Sequence, residues 1–293
     1  MVHYNSCPIC FSSEISLRLN CIDHFKTNES FPIYTCAICG ISFTQDHPDE
    51  DNIGYYYESD NYISHGQDSR GIVNSIYRIV RTLTLKRKRQ IVERESKLNK
   101  GSLLDIGSGT GHFAAEMKKS DWNVKCVEIN ETAREHSILK FGLEALHPSE
   151  ISNLHDAEFD CITLWHVLEH LDLNKYLSEI RRLLKPGGTC IIAVPNIASY
   201  DAKYYKKYWA AYDVPRHLWH FQPETLAFVT ESRNFKLMNT RLLPLDVFYI
   251  STLSEQYKKT PAPFLTGLAK GTFFAIKTLF NKKCGSSLIY VLN

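Results

Sequence analysis

The chain has 293 residues, 44% of them hydrophobic and 23% charged, with 34 Lys and Arg against 32 Asp and Glu. This is enough for one large α/β domain with a small appendage, and a formal net charge of +2 excludes a global field that would draw the protein to nucleic acid or to an anionic surface. No run of about eighteen apolar residues predicts a transmembrane helix, and Met1-Val2-His3-Tyr4-Asn5 lacks the basic and then apolar pattern of a secretion signal.

Residues 1–45 carry Cys7-Pro8-Ile9-Cys10 and Cys36-Ala37-Ile38-Cys39-Gly40 among short β-prone pieces, Ile15–Leu19 and Phe31–Tyr34. Two C-x2-C knuckles at this separation predict a zinc ribbon. Cys7, Cys10, Cys36 and Cys39 would bring four thiolates to one tetrahedral zinc, a closed structural site with no open position for catalysis. The nine cysteines are an odd number, which fits metal-bound thiolates in a reducing cytoplasm better than a disulfide framework. Cys126, Cys161 and Cys190 fall inside predicted strands, where cysteine acts as a small core residue.

Residues 46–99 form the next unit. It opens acidic and then becomes rich in tyrosine, with Tyr55, Tyr56, Tyr57 and Tyr62, which reads as a lid. A linking helix is expected over residues 69–98, on the spacing of Ile72, Ile76, Ile79, Val80 and Leu83. The run Lys86-Arg87-Lys88-Arg89 is read as a solvated face of that helix, so nucleic acid is not an expected partner.

Beyond Asn99-Lys100-Gly101 strands and helices alternate. Buried strands are predicted at Ser102–Ile106, Val124–Ile129, Asp160–Trp165 and Thr189–Val194. Leu173–Leu184 carries one apolar face and is expected to stop at Lys185-Pro186-Gly187-Gly188, where proline and two glycines turn the chain. A helix from Pro223 to Ser232 and strands at Phe235–Leu243 and Ser287–Leu292 complete the pattern. Strict alternation implies a parallel sheet covered on both faces.

The most informative segment is Leu103-Leu104-Asp105-Ile106-Gly107-Ser108-Gly109-Thr110-Gly111-His112-Phe113. A buried strand ends in a turn with three glycines at alternate positions, where the backbone must turn sharply and let a ligand approach. One strand–helix–strand unit later, Glu128 offers a carboxylate to both hydroxyls of a ribose. Together these mark an adenosine-containing ligand. A dinucleotide site would read G-x-G-x-x-G with a pyrophosphate at the helix start. Here the spacing is G-x-G-x-G, and Asp105 stands where a carboxylate suits the α-ammonium of a methionine moiety.

At these residues the chain resembles the class I S-adenosylmethionine (SAM)-dependent methyltransferases. The resemblance extends through Val127–Asn130, the run Phe159–His170 and Leu184-Lys185-Pro186-Gly187-Gly188, in the same order, and covers residues 100–293. It is nearest to the branch with ubiquinone-biosynthesis O-methyltransferases and many small-molecule and sugar methyltransferases. The resemblance implies a Rossmann-like seven-stranded α/β sheet whose last strand, Ser287–Leu292, is antiparallel. It implies that Asp105, Gly107, Gly109 and Gly111 cradle the methionine part, that Glu128 holds the ribose and that Ile129 packs on the adenine. The tetrapeptide of enzymes that methylate base amines is replaced here by Leu164-Trp165-His166-Val167.

Methyl transfer from a sulfonium requires alignment of the acceptor and, for a hydroxyl, removal of its proton. His166-Val167-Leu168-Glu169-His170 follows the fourth strand, where ligands bind in such sheets, so His166 and His170 are catalytic candidates, with His217 from a later segment. Some relatives carry E-x-x-E-H at this place and bind a divalent cation. Glu169 and His170 would then be ligands, and Pro215–Phe221 would supply another. A third reading leaves the histidines as caps or packing groups.

Arg216 and the aromatics of Asp213–Phe221 would suit an acceptor sugar bearing phosphate or carboxylate. Residues 246–283 read as an amphipathic helical insertion that mixes Phe264, Leu265, Phe273 and Ile276 with Lys270, Lys277 and Lys282. Such a helix suits peripheral membrane contact, the protein's own sheet or a homodimer.

The expected activity is methylation of a hydroxyl or carbon of a small metabolite, a nucleotide sugar or glycan precursor ahead of a prenylated quinone or other lipid-linked acceptor. A zinc-ribbon binding module with a vestigial SAM fold is the alternative of another class.

Overall fold

Strands apolar on both faces must be covered on both sides, and the one-faced helices between them supply that cover. The computed structural model describes residues 1–57 and 72–293. Tyr62 and the side chains of Ile72, Ile76, Ile79 and Val80, on which the lid and the linking helix were partly read, lie outside the described residues.

The larger sheet contains β4 (Ser102–Ile106), β5 (Asn123–Val127), β6 (Glu144–Leu146), β7 (Phe159–Trp165), β8 (Leu184–Pro195), β10 (Leu237–Leu243) and β11 (Ser287–Leu292). Their order across the sheet is β10-β11-β8-β7-β4-β5-β6. The five strands β4 to β8 run parallel, whereas β11 is antiparallel to both β8 and β10. All six residues of β11 are buried, as expected of an interior strand. The seven-stranded fold with its antiparallel last strand is the one the resemblance implies. After β4 the chain winds outward to β6 and then returns to β7 on the other flank of β4. The carboxyl ends of β4 and β7 therefore border the crevice in which open α/β sheets bind ligands.

The linking helix α1 (Ile72–Ser96), α2 (His112–Lys118) and β5 share one core, through Ile91, Val92, Phe113, Met117 and Trp122. On the opposite face lie α4 (Leu173–Leu183) and α6 (Pro223–Glu231), packed through Leu177, Ile180, Leu226 and Val229. Helix α3 (Glu131–Phe141) is capped at one end by Asn130, whose side chain accepts from the Ala133 amide, and closed by Gly142 at φ 59°. The short α5 (Tyr200–Tyr205) follows β8.

Two boundaries differ from the sequence reading. Strand β5 ends at Val127, so Glu128 and Ile129 stand just beyond it rather than within it. The Lys185–Gly188 segment is not a free turn. Strand β8 begins at Leu184, directly after α4, and absorbs this segment as a register shift opposite Phe159–Cys161, with Gly187 at φ 78°.

The N-terminal cysteine region has β1 (Ile15–Ile22), β2 (Ser30–Cys36) and β3 (Ser42–Thr44) in an antiparallel sheet. A fourth strand of that sheet comes from the far end of the chain: β9 (Trp219–His220) pairs with β3. Cys7, Cys36, Ile41 and Phe43 belong to the same core as Leu104 and Ile162. The ribbon is thus built into the larger domain.

The 246–283 insertion forms two helices, α7 (Asp246–Tyr257) and α8 (Pro263–Phe280). They pack against each other where α8 has no side chains: a Cβ on Gly267 would lie 2.4 Å from Thr252 Cα, and one on Gly271 2.8 Å from Phe248 Cδ1. Val247, Ile250 and Phe274 continue inward to Tyr205 and Trp209.

Candidate active site

The loop after β4 holds Gly107, Gly109 and Gly111 at φ 71°, 54° and 78°, a region that favours glycine. Two of them are also fixed by packing. A Cβ on Gly107 would fall 2.3 Å from Val167 Cγ2, and one on Gly111 2.6 Å from Ser137 Cβ. A Cβ on Gly109 would meet nothing within 4 Å, so that side of the residue faces open space at the carboxyl end of β4. The Gly107 amide donates to Val127 O at 2.7 Å and ties the loop to β5.

Glu128 is buried at the rim of that space. Its Oε2 accepts from the Gly109 amide at 2.7 Å and its Oε1 from the Asn130 amide at 2.9 Å. Each oxygen keeps a further lone pair for a ligand hydroxyl. Ile129, beside it, is 72% exposed.

Asp105 is buried, and its Oδ1 accepts from Thr163 Oγ1 at 2.7 Å. Burial pushes its carboxyl up to about 7, against the Thr163 hydrogen bond and the Lys88 ammonium.

Lys88 departs from the solvated face expected of the Lys86–Arg89 run. Its Nζ lies 4.4 Å from the centre of the Trp165 ring, and burial lowers its pKa while Asp105 and Asp246 raise it. Arg89 also turns inward, with Nη1 donating to Ser120 Oγ at 2.9 Å, whereas Lys86 and Arg87 stay exposed. Four consecutive helical residues sweep about 300°, so they cannot all face solvent. The signal was in the register: Lys88 stands three residues after Leu85 and four before Val92, on the face that packs.

The loop after β7 opens with His166 at φ 59°, a conformation rare outside glycine and found at functional sites. Its Nε2 is 2.7 Å from Asp246 Oδ2 and its Nδ1 3.5 Å from Glu169 Oε1. Burial opposes the charged imidazole, but Asp246 and then Glu169 outweigh it and push His166 up to about 10. A general base must arrive unprotonated, and the Asp246 and Glu169 carboxylates oppose that state of His166.

Glu169 is 0% exposed, and among the described residues neither of its oxygens receives a hydrogen bond. The His217 ring approaches it, with Nε2 4.0 Å from Oε1. His217 Nδ1 donates to Ala211 O at 2.9 Å, which leaves the Nε2 lone pair toward the carboxylate. Burial, then the neighbouring His170, drives its pKa well below the ordinary histidine value.

His170 Nδ1 lies 2.9 Å from both Arg216 O and Tyr57 Oη. A carbonyl only accepts, so the ring hydrogen sits on Nδ1 and Nε2 carries the lone pair. One donor atom from each of Glu169, His170 and His217 lies within 4.8 Å of the others. A buried carboxylate beside two histidines, each with Nδ1 fixed on a backbone carbonyl, is a donor set that could hold a divalent cation.

The segment expected to face the acceptor is instead the frame of this cluster. Arg216 is buried. Its Nη2 reaches Asp23 Oδ1 at 2.9 Å and Asp213 Oδ1 at 2.7 Å, and Nη1 donates to Tyr56 O at 2.9 Å. It therefore has no free edge for an acceptor phosphate. Trp219 Nε1 donates to Leu171 O, and Phe221 is a core residue. Thr44 of the ribbon holds the segment at two points, with Oγ1 donating to His217 O at 2.6 Å and lying 2.9 Å from His220 Nε2.

In the ribbon, Cys7 Sγ is 3.5 Å from Cys39 Sγ and Cys10 Sγ 3.5 Å from Cys36 Sγ, with all four sulfurs within 4.8 Å of one another. Four thiolates about 2.3 Å from one zinc stand roughly 3.8 Å apart, so this spacing fits a tetrahedral ion.

Residues 79–240 match a family model described as a methyltransferase domain. No curated protein matches the sequence. The structure is similar to that of geranyl diphosphate C-methyltransferase from Streptomyces coelicolor A3(2), solved with Mg2+, geranyl diphosphate and S-adenosyl-L-homocysteine. The identity is 13%, over 80% of this chain and 86% of that one, at a TM-score of 0.52. A Galdieria sulphuraria protein provisionally assigned as a sarcosine dimethylglycine methyltransferase also aligns at TM-score 0.52, with 14% identity over 83% of this chain and 98% of the other. A SAM-dependent methyltransferase from Archaeoglobus fulgidus is 21% identical over 72% of this chain and 93% of its own, at TM-score 0.49.

Proposed function

The chain belongs to the methyltransferase-domain family and is a SAM-dependent methyltransferase of the class I fold, and on that premise we propose that it moves the methyl group to a hydroxyl of a small metabolite bound at Glu169, His170 and His217. The observation that carries this reading is the Glu169 carboxylate, buried without a hydrogen bond among the described residues and faced by a neutral imidazole. A cation, a ligand hydroxyl or an ordered water would complete its shell, beside the His166 ring 3.5 Å from Oε1.

Asp105 and the Gly107–Gly111 backbone receive the methionine end of SAM, Glu128 receives the ribose, and Ile129 covers the adenine. Glu169, His170 and His217 hold a divalent cation, which when bound lowers the pKa of an acceptor hydroxyl. His166 acts as a fixed imidazolium that orients Glu169 and links it to Asp246. The acceptor hydroxyl gives its proton to solvent as its oxygen displaces the sulfur in line: the O–H and S–CH3 bonds break, the O–CH3 bond forms, and S-adenosylhomocysteine leaves.

The Cys7, Cys10, Cys36 and Cys39 cluster holds a structural zinc, in a reducing compartment such as the cytoplasm. With Arg216 engaged internally, the case for an anionic sugar acceptor loses its cationic partner. A nucleotide sugar or glycan precursor stays in the reading only as a carrier of hydroxyls, beside the lipid-linked alternative.

The test supplies purified protein with SAM carrying a labelled methyl group and fractionated metabolites, before and after EDTA treatment and Mg2+ or Mn2+ addition. Label entering a small aqueous product, lost with EDTA and restored by the ion, is expected. EDTA-insensitive transfer would remove the cation from the reading. Label found only in protein or RNA would overturn the acceptor class, and failure to bind SAM would leave the vestigial module.

A further inference from the structure

Helix α8 buries one side through Gly267, Gly271, Phe274 and Thr278, against α7 and α5. A surface helix packed this way presents polar residues on the opposite side. Here that side is apolar as well: Leu265, Leu268, Phe273, Ile276, Leu279 and Phe280 are all exposed, Phe280 by 88%. At 100° per residue they cover an arc of about 140°, roughly two-fifths of the helix circumference. A stripe this wide on one helix is the mark of an interaction surface rather than of scattered apolar residues.

The charge around it says what covers it. Residues 258–283 contain six lysines, Lys258, Lys259, Lys270, Lys277, Lys282 and Lys283, and no Asp or Glu. Lys270 and Lys277 lie along one border of the apolar face, held over the Tyr204 and Tyr200 rings at 4.6 and 4.3 Å. Beside them a shallow basin is lined by Arg18, Lys203, Lys206, Lys207 and Lys258, together with Tyr204 and Tyr208. The near-neutral net charge of the whole chain conceals this one-signed region. No described helix is long and apolar enough to cross a membrane.

From the exposed apolar face of α8 and its lysine border we infer that the protein docks on an anionic lipid surface, with α8 lying in the plane of the headgroups. Leu, Ile and Phe side chains enter the acyl boundary while the lysines meet the phosphates. This docking is independent of which acceptor the active site uses.

Co-sedimentation with phosphatidylcholine vesicles containing phosphatidylglycerol tests it, with pure phosphatidylcholine and 0.5 M salt as controls. Binding is expected only to the anionic vesicles and should be released by salt. The double change Ile276→Glu/Leu279→Glu should abolish it. Lys282→Glu/Lys283→Glu should weaken it by about tenfold or more, at roughly 1 kcal/mol for each lysine near the surface. Phe280→Glu, at the last position of the helix, gives the same reading if the double variant fails to fold; circular dichroism and SAM binding report on folding.

Absence of binding to anionic vesicles at low salt would overturn the inference. So would a dimer in analytical ultracentrifugation that Ile276→Glu/Leu279→Glu dissociates while vesicle binding stays nil. In that case the face belongs to a second copy of the chain.

Discussion

The two halves of the proposed active site are assembled in different ways. The cofactor half is local: Asp105 to Gly111 and Glu128 to Asn130 lie within one strand–helix–strand unit, and the Glu128–Gly109 bond spans 19 residues. The acceptor half is collected from the whole chain. Thr44 reaches His217 across 173 residues, Arg216 reaches Asp23 across 193, and Tyr57 meets His170 across 113. A local site is formed once its own unit folds. A distributed site exists only while distant modules remain docked, so the N-terminal cysteine region, with no atom for the chemistry, becomes part of the frame for the proposed site.

The sharpest way to break this comparison is to remove one ligand of the proposed zinc. Cys36→Ser removes one of four thiolates, and the stabilisation supplied by a structural zinc, about 10 kcal/mol or more in small domains, would be largely lost. Activity should fall by roughly 100-fold or more as the frame around His217 loosens, while the SAM affinity measured by calorimetry should change little. Equal loss of both would show that the halves are not separable.

A gentler cut is Arg216→Met, which leaves Asp23 and Asp213 buried or half-buried without their cation. Burial raises the Asp23 carboxyl, but Arg216 and the Thr27 contacts hold it below its ordinary range, so its charge depends on this arginine. Breaking such a pair costs about 3–5 kcal/mol, readable in a urea titration. The loss should again fall on turnover more than on SAM binding. On the other half, Glu128→Ala should weaken SAM binding by roughly 10- to 100-fold, the range for losing charge-assisted hydrogen bonds. It should leave binding of Mn2+ at Glu169, His170 and His217, followed by electron paramagnetic resonance, unchanged.

The same contrast explains what could be read from sequence. The cofactor loop, the apolar face of α4 and the closing strand Ser287–Leu292 are set by spacing within a short stretch, and periodicity reports them. The buried fate of Arg216, Trp219 and Phe221 is set by Asp23, Leu171 and the core of a distant module, which no local pattern encodes. The charge environment of His166 is hidden for the same reason: its partner Asp246, 2.7 Å from Nε2, stands 80 residues on. Lys88 is a different case, since its helical register against Leu85 and Val92 was available and was outweighed by the charge run around it.

The smallest expected effect sharpens the cofactor half itself. In the free protein burial holds the Asp105 carboxyl up at about 7, so near neutrality it is partly protonated. The α-ammonium of SAM favours the ionised form and must pull this pKa down on binding. SAM affinity should therefore rise with pH between about 5.5 and 7.5, by up to roughly tenfold per unit below 7, and then level off. The sign for the unliganded fold is opposite. A carboxyl whose pKa is raised on folding contributes stability below its unfolded value near 3.8 and loses it as pH climbs toward 7. Asp105→Asn should flatten the affinity slope and relieve the free protein at alkaline pH. A slope that persists in the variant would move the titrating group elsewhere and leave Asp105 a structural partner of Thr163.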